Sequence, residues 1–168
     1  MSGILFWIVL VWSMTGIPRM SMRGSCRCKN ISVAWQNIDF SLVPRACLCE
    51  YCAARGAAYV SKSGTGVEVL IRNAEFHRES AHGSRQATFH ECSYCGDVVI
   101  VTALIEDSLY AALNVACLDS WQRFPRPVYV NFSDHTPEQK RERWLQNWCY
   151  PVHITGGCAN SASPLAEP

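Results

Sequence analysis

Seven of the ten cysteines fall in three short stretches: Cys26-Arg27-Cys28, Cys47-Leu48-Cys49-Glu50-Tyr51-Cys52 and Cys92-Ser93-Tyr94-Cys95-Gly96. Residues i and i+2 of an extended segment share a face, so a CxC pair can chelate one ion. A disulfide within so tight a pair would be strained, because the bridge demands particular separations and torsions. A CxxC pair followed by glycine reads as a zinc-binding turn whose close the glycine eases. Seven thiols divide naturally into one four-thiolate site and one three-thiolate site. The spacing favours zinc over disulfides, and with zinc goes a reducing, cytoplasmic setting.

Other chemistry is sparse. The formal charge is +1, from 15 basic and 14 acidic residues, so no electrostatic footprint points to nucleic acid or to an anionic membrane. His77, His82, His90, His135 and His153 show no paired spacing and read as surface or capped histidines rather than bases. Cys117 reads as a small buried hydrophobe and Cys158 as a tail thiol, yet either of them, Cys149 or a histidine is available to close the three-thiolate site with a fourth ligand. Trp121, Trp144 and Trp148 read as core. The Gly64 and Gly66 pair lacks the lysine and hydroxyl that end a phosphate loop, which leaves a plain turn.

The elements that must position these thiols are short. With 168 residues the chain has the length of one domain able to bury its own core. Ile31, Val33 and Trp35 alternate with Ser32 and Ala34 directly after the first cysteine pair, the period of a half-buried strand. The CxCxxC stretch precedes a strand at Tyr59-Val60, and 61–66 is a polar hairpin candidate before alternating Val67, Val69 and Ile71. A polar stretch from Asn73 to Arg85 leads to 86–90, then to the CxxCG turn and an apolar run, 98–103, that reads as a central strand. Two further short strands are expected at 114–119 and 128–132. One C-terminal helix is expected, with Thr136 and Gln139 as a capping box, Pro137 in its first position, an apolar face of Trp144, Leu145 and Trp148, and Lys140 to Arg143 on its solvated side.

Beyond these elements lie two segments of different character. Residues 1–21 form an apolar N-terminal extension whose run from Ile4 to Trp12 is too short for the roughly 20 residues of a membrane span. It suits a signal-peptide core in length but has no basic start and no clear cleavage site, so it reads as a start-site artefact or a weak signal-like segment, with export a minor alternative. Residues 151–168 read as a mobile tail, rich in Gly, Ser, Ala and Pro from Gly156 on. The domain between them, 22–150, reads as mainly β, with short antiparallel strands whose turns carry the cysteines.

The stretches Gly24-Ser25-Cys26-Arg27-Cys28, Cys47 to Cys52 with Arg55-Gly56-Ala57, and Cys92-Ser93-Tyr94-Cys95-Gly96 together resemble the glutathione-dependent formaldehyde-activating enzyme family, which also includes centromere protein V. Cys117-Leu118-Asp119 is similar to a later family segment, and Met22-Arg23-Gly24-Ser25-Cys26 to the way family members begin. The resemblance implies a zinc-stapled, β-tent or Mss4-like domain. It implies a structural zinc on Cys26, Cys28, Cys92 and Cys95, closed by four thiolates, and a second, catalytic zinc on Cys47, Cys49 and Cys52 with an open position. Two zinc ions per chain and glutathione as co-substrate follow from the same resemblance, as does a carbon–sulfur lyase that joins glutathione with formaldehyde, or acts on a similar small thiol adduct. No glutathione-contacting residue is named by it.

Two departures bear on that expectation. Lys29-Asn30 stands where the family usually has glycine, and the asparagine is expected to take the left-handed turn conformation. Leu48 stands where a polar residue is common, which removes a hydrogen bond to the ligand shell. The alternative function is a non-catalytic zinc-stapled binding module, and a secreted disulfide protein is more distant still. Oligomeric state is not written in the sequence.

Overall fold

The computed structural model describes residues 20–156. Where the sequence alternates, one face goes inside. Ile31, Val33 and Trp35 of β2 (Ile31–Trp35) are buried, as are Val67, Val69 and Ile71 of β5 (Val67–Ile71), while Glu68 and Leu70 point to solvent. The two strands pair antiparallel with Val33 opposite Val69, so their apolar faces coincide. β1 (Met22–Ser25) joins β2 antiparallel and β11 (Val152–Thr155) joins β5 in parallel, giving a four-stranded sheet in the order β1-β2-β5-β11.

The second sheet runs β10-β3-β4-β9-β8-β7-β6. It comprises β3 (Arg45–Cys47), β4 (Ala58–Val60), β6 (His77–Ala81), β7 (Thr88–Cys92), β8 (Val98–Ile105), β9 (Ser108–Asn114) and β10 (Val128–Val130). β8 is buried continuously from Val98 to Ala103, as an apolar run covered on both faces must be. Val99 and Ile100 enter the main core with Trp35, Val69, Leu113 and Leu118, a core both sheets share. Val98 and Val101 join a second cluster with Cys52, Ala57, Phe89 and Ala112, and Cys47 and Cys49 pack against it. The fold is mainly β, with eleven strands in two sheets among the described residues.

The main helix, α2 (Pro137–Asn147), obeys its sequence signature. Gln139 N–H donates to the Thr136 hydroxyl, Thr136 N–H donates to the Gln139 side chain, and Pro137 opens the first turn. Trp144 is buried with Ala103 and Ile105 of β8. Trp148, the residue that ends the helix, packs on Trp144 with ring centroids 4.9 Å apart. Leu145, expected on the same face, is exposed, because one residue turns about 100° round the helix axis.

Trp121, expected in the core beside Trp144 and Trp148, is exposed. The structure departs from the sequence reading in five further elements. The 61–66 segment is no hairpin: β4 pairs with β3 and β9, whereas β5 pairs with β2 and β11, so the chain crosses there from one sheet to the other. The polar stretch after Asn73 holds a 3-10 turn, Ala74–Phe76, and then β6. Residues 115–117 form a 3-10 turn after β9, with the Asn114 side chain accepting from Ala116 N–H, rather than a strand. Val152–Thr155, assigned to the tail, is a sheet strand. The pairs β3–β10 and β5–β11 are parallel in a domain expected to be antiparallel. No helix among the described residues is long and apolar enough to cross a membrane. The Ile4 to Trp12 run, Cys158 and most of the expected tail lie outside the described residues.

Candidate metal centres

Two hairpins deliver four cysteines to one point. Cys26 and Cys28 sit in the loop between β1 and β2, where Lys29 N–H donates to the Cys26 carbonyl and Cys26 N–H to that of Ile31. The left-handed residue of this loop is Lys29, at φ 62°, not Asn30 as expected. Asn30 is buried and stitches the loop to Asn73, donating to its carbonyl and accepting from its N–H. Cys92 and Cys95 sit in the turn between β7 and β8. Gly96, at φ 79°, lets this turn close with its N–H on the Cys92 carbonyl at 2.8 Å.

The four sulfurs lie within 4.8 Å of one another and could hold a metal ion. The Cys28–Cys92 pair is 3.4 Å apart and the Cys26–Cys28 pair 3.6 Å. Those gaps approach the edge of a zinc–thiolate tetrahedron with bonds of about 2.3 Å, and are far from the roughly 2.05 Å of a disulfide. All nine described cysteines are free. Arg27 clamps the two hairpins: its backbone N–H and Nε donate to Asp97 at 2.7 and 3.0 Å, and its guanidinium also reaches the Cys95 carbonyl. Burial pushes the Cys26 thiol up to about 12, whereas the Asn30 backbone amide, ahead of its cysteine neighbours, draws exposed Cys28 down to about 7.

The CxCxxC stretch forms a second group. Cys47 ends β3, Cys49 precedes the single turn of α1 (Glu50–Ala53), and Cys52 lies within it, fully buried. Their sulfurs also lie within 4.8 Å of one another, and no fourth His, Cys, Asp or Glu among the described residues joins them. The thiols of Cys52 and Cys49 and the Cys49 amide hydrogen-bond to the Cys47 sulfur, which with Arg143 nearby is held down to about 5 against the effect of burial. Cys52 moves the other way, its proton held by the Cys47 thiolate and by burial. Cys117 is half-buried with its thiol on the Val98 carbonyl at 3.5 Å, and Cys149 is buried where Lys62 N–H donates to its sulfur. Both belong to the main core, not to the three-cysteine group.

Above the three cysteines opens a cavity of about 580 Å³. Its wall brings Arg45, Lys140 and Arg143 together with Trp144 and Trp148, and includes no aspartate or glutamate. Arg143 Nη1 donates to His135 Nδ1 at 2.9 Å and its guanidinium lies 3.5 Å from the centroid of the Phe132 ring. No carboxylate among the described residues forms an ion pair with it. Burial, and then Arg45, lower its proton affinity, while the neighbouring Cys47 works against them. Leu48 is exposed on the rim, where it offers no hydrogen bond to the cysteine group. Tyr59 lines the cavity with its hydroxyl 3.7 Å from the Cys52 sulfur; burial, then Cys52, pushes its proton affinity well up, so it stays a hydrogen-bond donor.

Sequence reasoning found both cysteine groups and missed the cavity wall: Lys140 and Arg143, expected on the solvated side of α2, line the cavity instead, and only the docking of that helix brings them to Arg45, far away in the chain. It also missed a histidine pair. His90 is buried, and its Nδ1 lies 3.0 Å from Nε2 of half-buried His77, with Glu79 beside them. The signal was available in the alternation His77, Glu79, but only the β6–β7 register makes it meaningful.

Comparison with known proteins agrees with the geometry. The glutathione-dependent formaldehyde-activating enzyme family matches residues 21–135, a span that contains all seven clustered cysteines. A crystal structure of a Rhodobacter sphaeroides protein superposes with a TM-score of 0.51 at 22% identity, covering 65% of this chain and 100% of that one, and so shares the fold. No curated protein matches the chain. With more than half its length matched, the chain belongs to the glutathione-dependent formaldehyde-activating enzyme family.

Proposed function

We propose that this protein is a zinc-dependent carbon–sulfur lyase acting on the adduct of glutathione, or a similar anionic thiol, with formaldehyde or another small aldehyde. The observation that carries the reading is the three-cysteine group beneath a cavity lined by three cations and no carboxylate. Glutathione has two carboxylates, a thiol and a length suited to such a cavity, and family membership supplies the chemical context. In this reading Cys26, Cys28, Cys92 and Cys95 hold a structural zinc, and Cys47, Cys49 and Cys52 hold a catalytic one. The donor sets fit: four thiolates close a tetrahedral site, and three leave a position free. A zinc ion held by the three cysteines would keep a substrate thiol ionised at neutral pH.

The chain's own residues do the rest. Arg143 and Arg45, with Lys140 at the wall, bind the carboxylates and bring the thiol down to the cysteines. Trp144 and Trp148 shield the cavity from water. Carbon–sulfur bond formation places negative charge on the former aldehyde oxygen, which must take up a proton; Tyr59 holds one at its hydroxyl beside Cys52. The reverse sequence releases aldehyde and thiol. Nine free thiols suit a reducing compartment, which supports the cytoplasm as the place of action.

The test is metal and ligand stoichiometry on protein purified under reducing conditions. Two zinc ions per chain, falling to about one in Cys49→Ser without unfolding, and a saturable thermal shift with glutathione that this variant loses, are the expected results. Two zinc ions with no response to glutathione or to its formaldehyde adduct would favour a zinc-stapled binding module instead.

A further inference from the structure

We propose that His77, Glu79 and His90 form a third metal site, separate from both cysteine groups, for a borderline divalent transition ion such as zinc, nickel or cobalt. Antiparallel pairing sets Glu79 directly opposite His90, and His77 lies two residues earlier on the same face of β6. The pleat therefore aims all three side chains at one point. The two imidazole nitrogens are 3.0 Å apart, Glu79 Oε1 is 3.7 Å from His90 Nδ1, and all three donor atoms fall within 4.8 Å. With bonds of about 2.0–2.2 Å, those gaps correspond to angles of roughly 95° and 125° at an ion, either side of tetrahedral.

The surroundings are those of an oriented ligand. His90 Nε2 lies 2.8 Å from the Thr102 hydroxyl on β8, and with Nε2–H donated there, Nδ1 presents its lone pair toward β6. The two rings are parallel to within 3°. His90 is 3% exposed, whereas the Glu79 side chain is 61% exposed, so the site is closed on the sheet side and open to solvent on the other. An ion can enter there and keep water on its free side. Two imidazoles and a carboxylate suit borderline ions and offer nothing to the soft ions that thiolates prefer.

A plain hydrogen bond between the histidines uses two nitrogens and engages Glu79 only as an ion-pair partner of a protonated His90. An ion uses all three groups, and it would fasten β6, the edge strand of the larger sheet, to its neighbour. His77 is the cross-strand partner of Cys92, so the clip would brace the strand that carries one ligand of the four-cysteine group.

The proposal is tested on the full chain, first given two equivalents of zinc per chain, which the thiolate groups take ahead of imidazole and carboxylate, then titrated with cobalt(II) and followed by absorption. Cobalt on imidazole and carboxylate gives visible d–d bands without sulfur-to-metal charge transfer. One further equivalent with that signature is expected, lost in His77→Ala and weakened in Glu79→Gln, whose side chain is exposed enough that folding does not depend on it. No further equivalent, binding unchanged in either variant, or a spectrum dominated by sulfur charge transfer overturns the proposal. None of these readouts passes through glutathione chemistry, so this site and the proposed lyase activity fail separately.

Discussion

The Tyr51 hydroxyl donates to the buried Glu91 carboxylate across 3.0 Å, and this bond ties the turn that carries Cys49 and Cys52 to the strand that ends in Cys92. Arg78 donates to the other carboxylate oxygen at 2.9 Å, and Arg55 lies over the Tyr51 ring with His82 stacked on it at 3.5 Å. The two cysteine groups are therefore mechanically joined through one acidic side chain.

Glu91→Gln is expected to lower stability by about 1–3 kcal/mol at neutral pH, since it weakens two hydrogen bonds to a charged group. Burial pushes the Glu91 carboxyl up, but the bonds from Arg78 and Tyr51 outweigh burial and leave it below its ordinary value. A lowered folded value means stabilisation fully present above the ordinary glutamate value of about 4.3 and lost as pH falls through the folded one. Denaturant melts of both proteins should thus show a gap that closes in acid. A gap that grows in acid would contradict the ion-pair account.

Gly24→Ala tests the close approach of β1 to the segment after β9. A methyl group there meets the Cys117 carbonyl and the backbone of Leu118, where Gly24 and Leu118 form an isolated bridge. Backbone cannot yield as a side-chain tip can, so a loss of about 1–3 kcal/mol is expected. Because Gly24 stands two residues before Cys26, thermal melts should fall together with zinc retention under chelator challenge. Unchanged melting would mean that the contact relaxes freely.

Thr136→Ala removes the helix cap and is expected to cost about 1 kcal/mol. The helix positions Lys140, Arg143 and Trp144, so glutathione affinity should weaken while zinc content stays constant. Elemental analysis beside a binding titration separates the two.

Arg143→Met keeps the apolar stem over Phe132 and deletes the charge. A hydrogen bond to a charged group is worth about 1.5–3 kcal/mol, so affinity for glutathione should fall by about ten- to a hundredfold. The loss should appear in KM, with kcat little changed, if the residue binds carboxylate rather than taking part in the chemistry. A fall in kcat alone would move Arg143 into the reaction itself.

How far the sequence could be read depended on how local the cause was. The cysteine groups were legible because ligand spacing is a property of a few adjacent residues. β2, β5 and β8 were legible because burial imposes period two, or an unbroken apolar run, on the strand itself. The cap of α2 is likewise written in Thr136-Pro137 and Gln139. β6 was not legible: His77 to Ala81 form an edge strand with no fully buried position, so nothing enforced an apolar alternation. The 61–66 segment looked like a hairpin because a polar turn has the same composition whether its strands meet or part. What decides is the choice of long-range partner, β9 for one strand and β2 for the other. The left-handed Lys29 defied expectation because Asn30 was needed inward, for its bonds to Asn73.

The cavity has its floor and its far wall in different parts of the chain. Cys47, Cys49 and Cys52 lie inside the span shared with the family, 21–135, whereas Lys140, Arg143, Trp144 and Trp148 lie beyond it. On the proposed reading, the reactive thiols and two of the three cations that would choose the substrate are thereby written in separate passages of the gene. On that reading, substitutions on one helix would change which thiol is admitted while every cysteine stays in place, and α2 is where a designer would begin to retune the proposed activity.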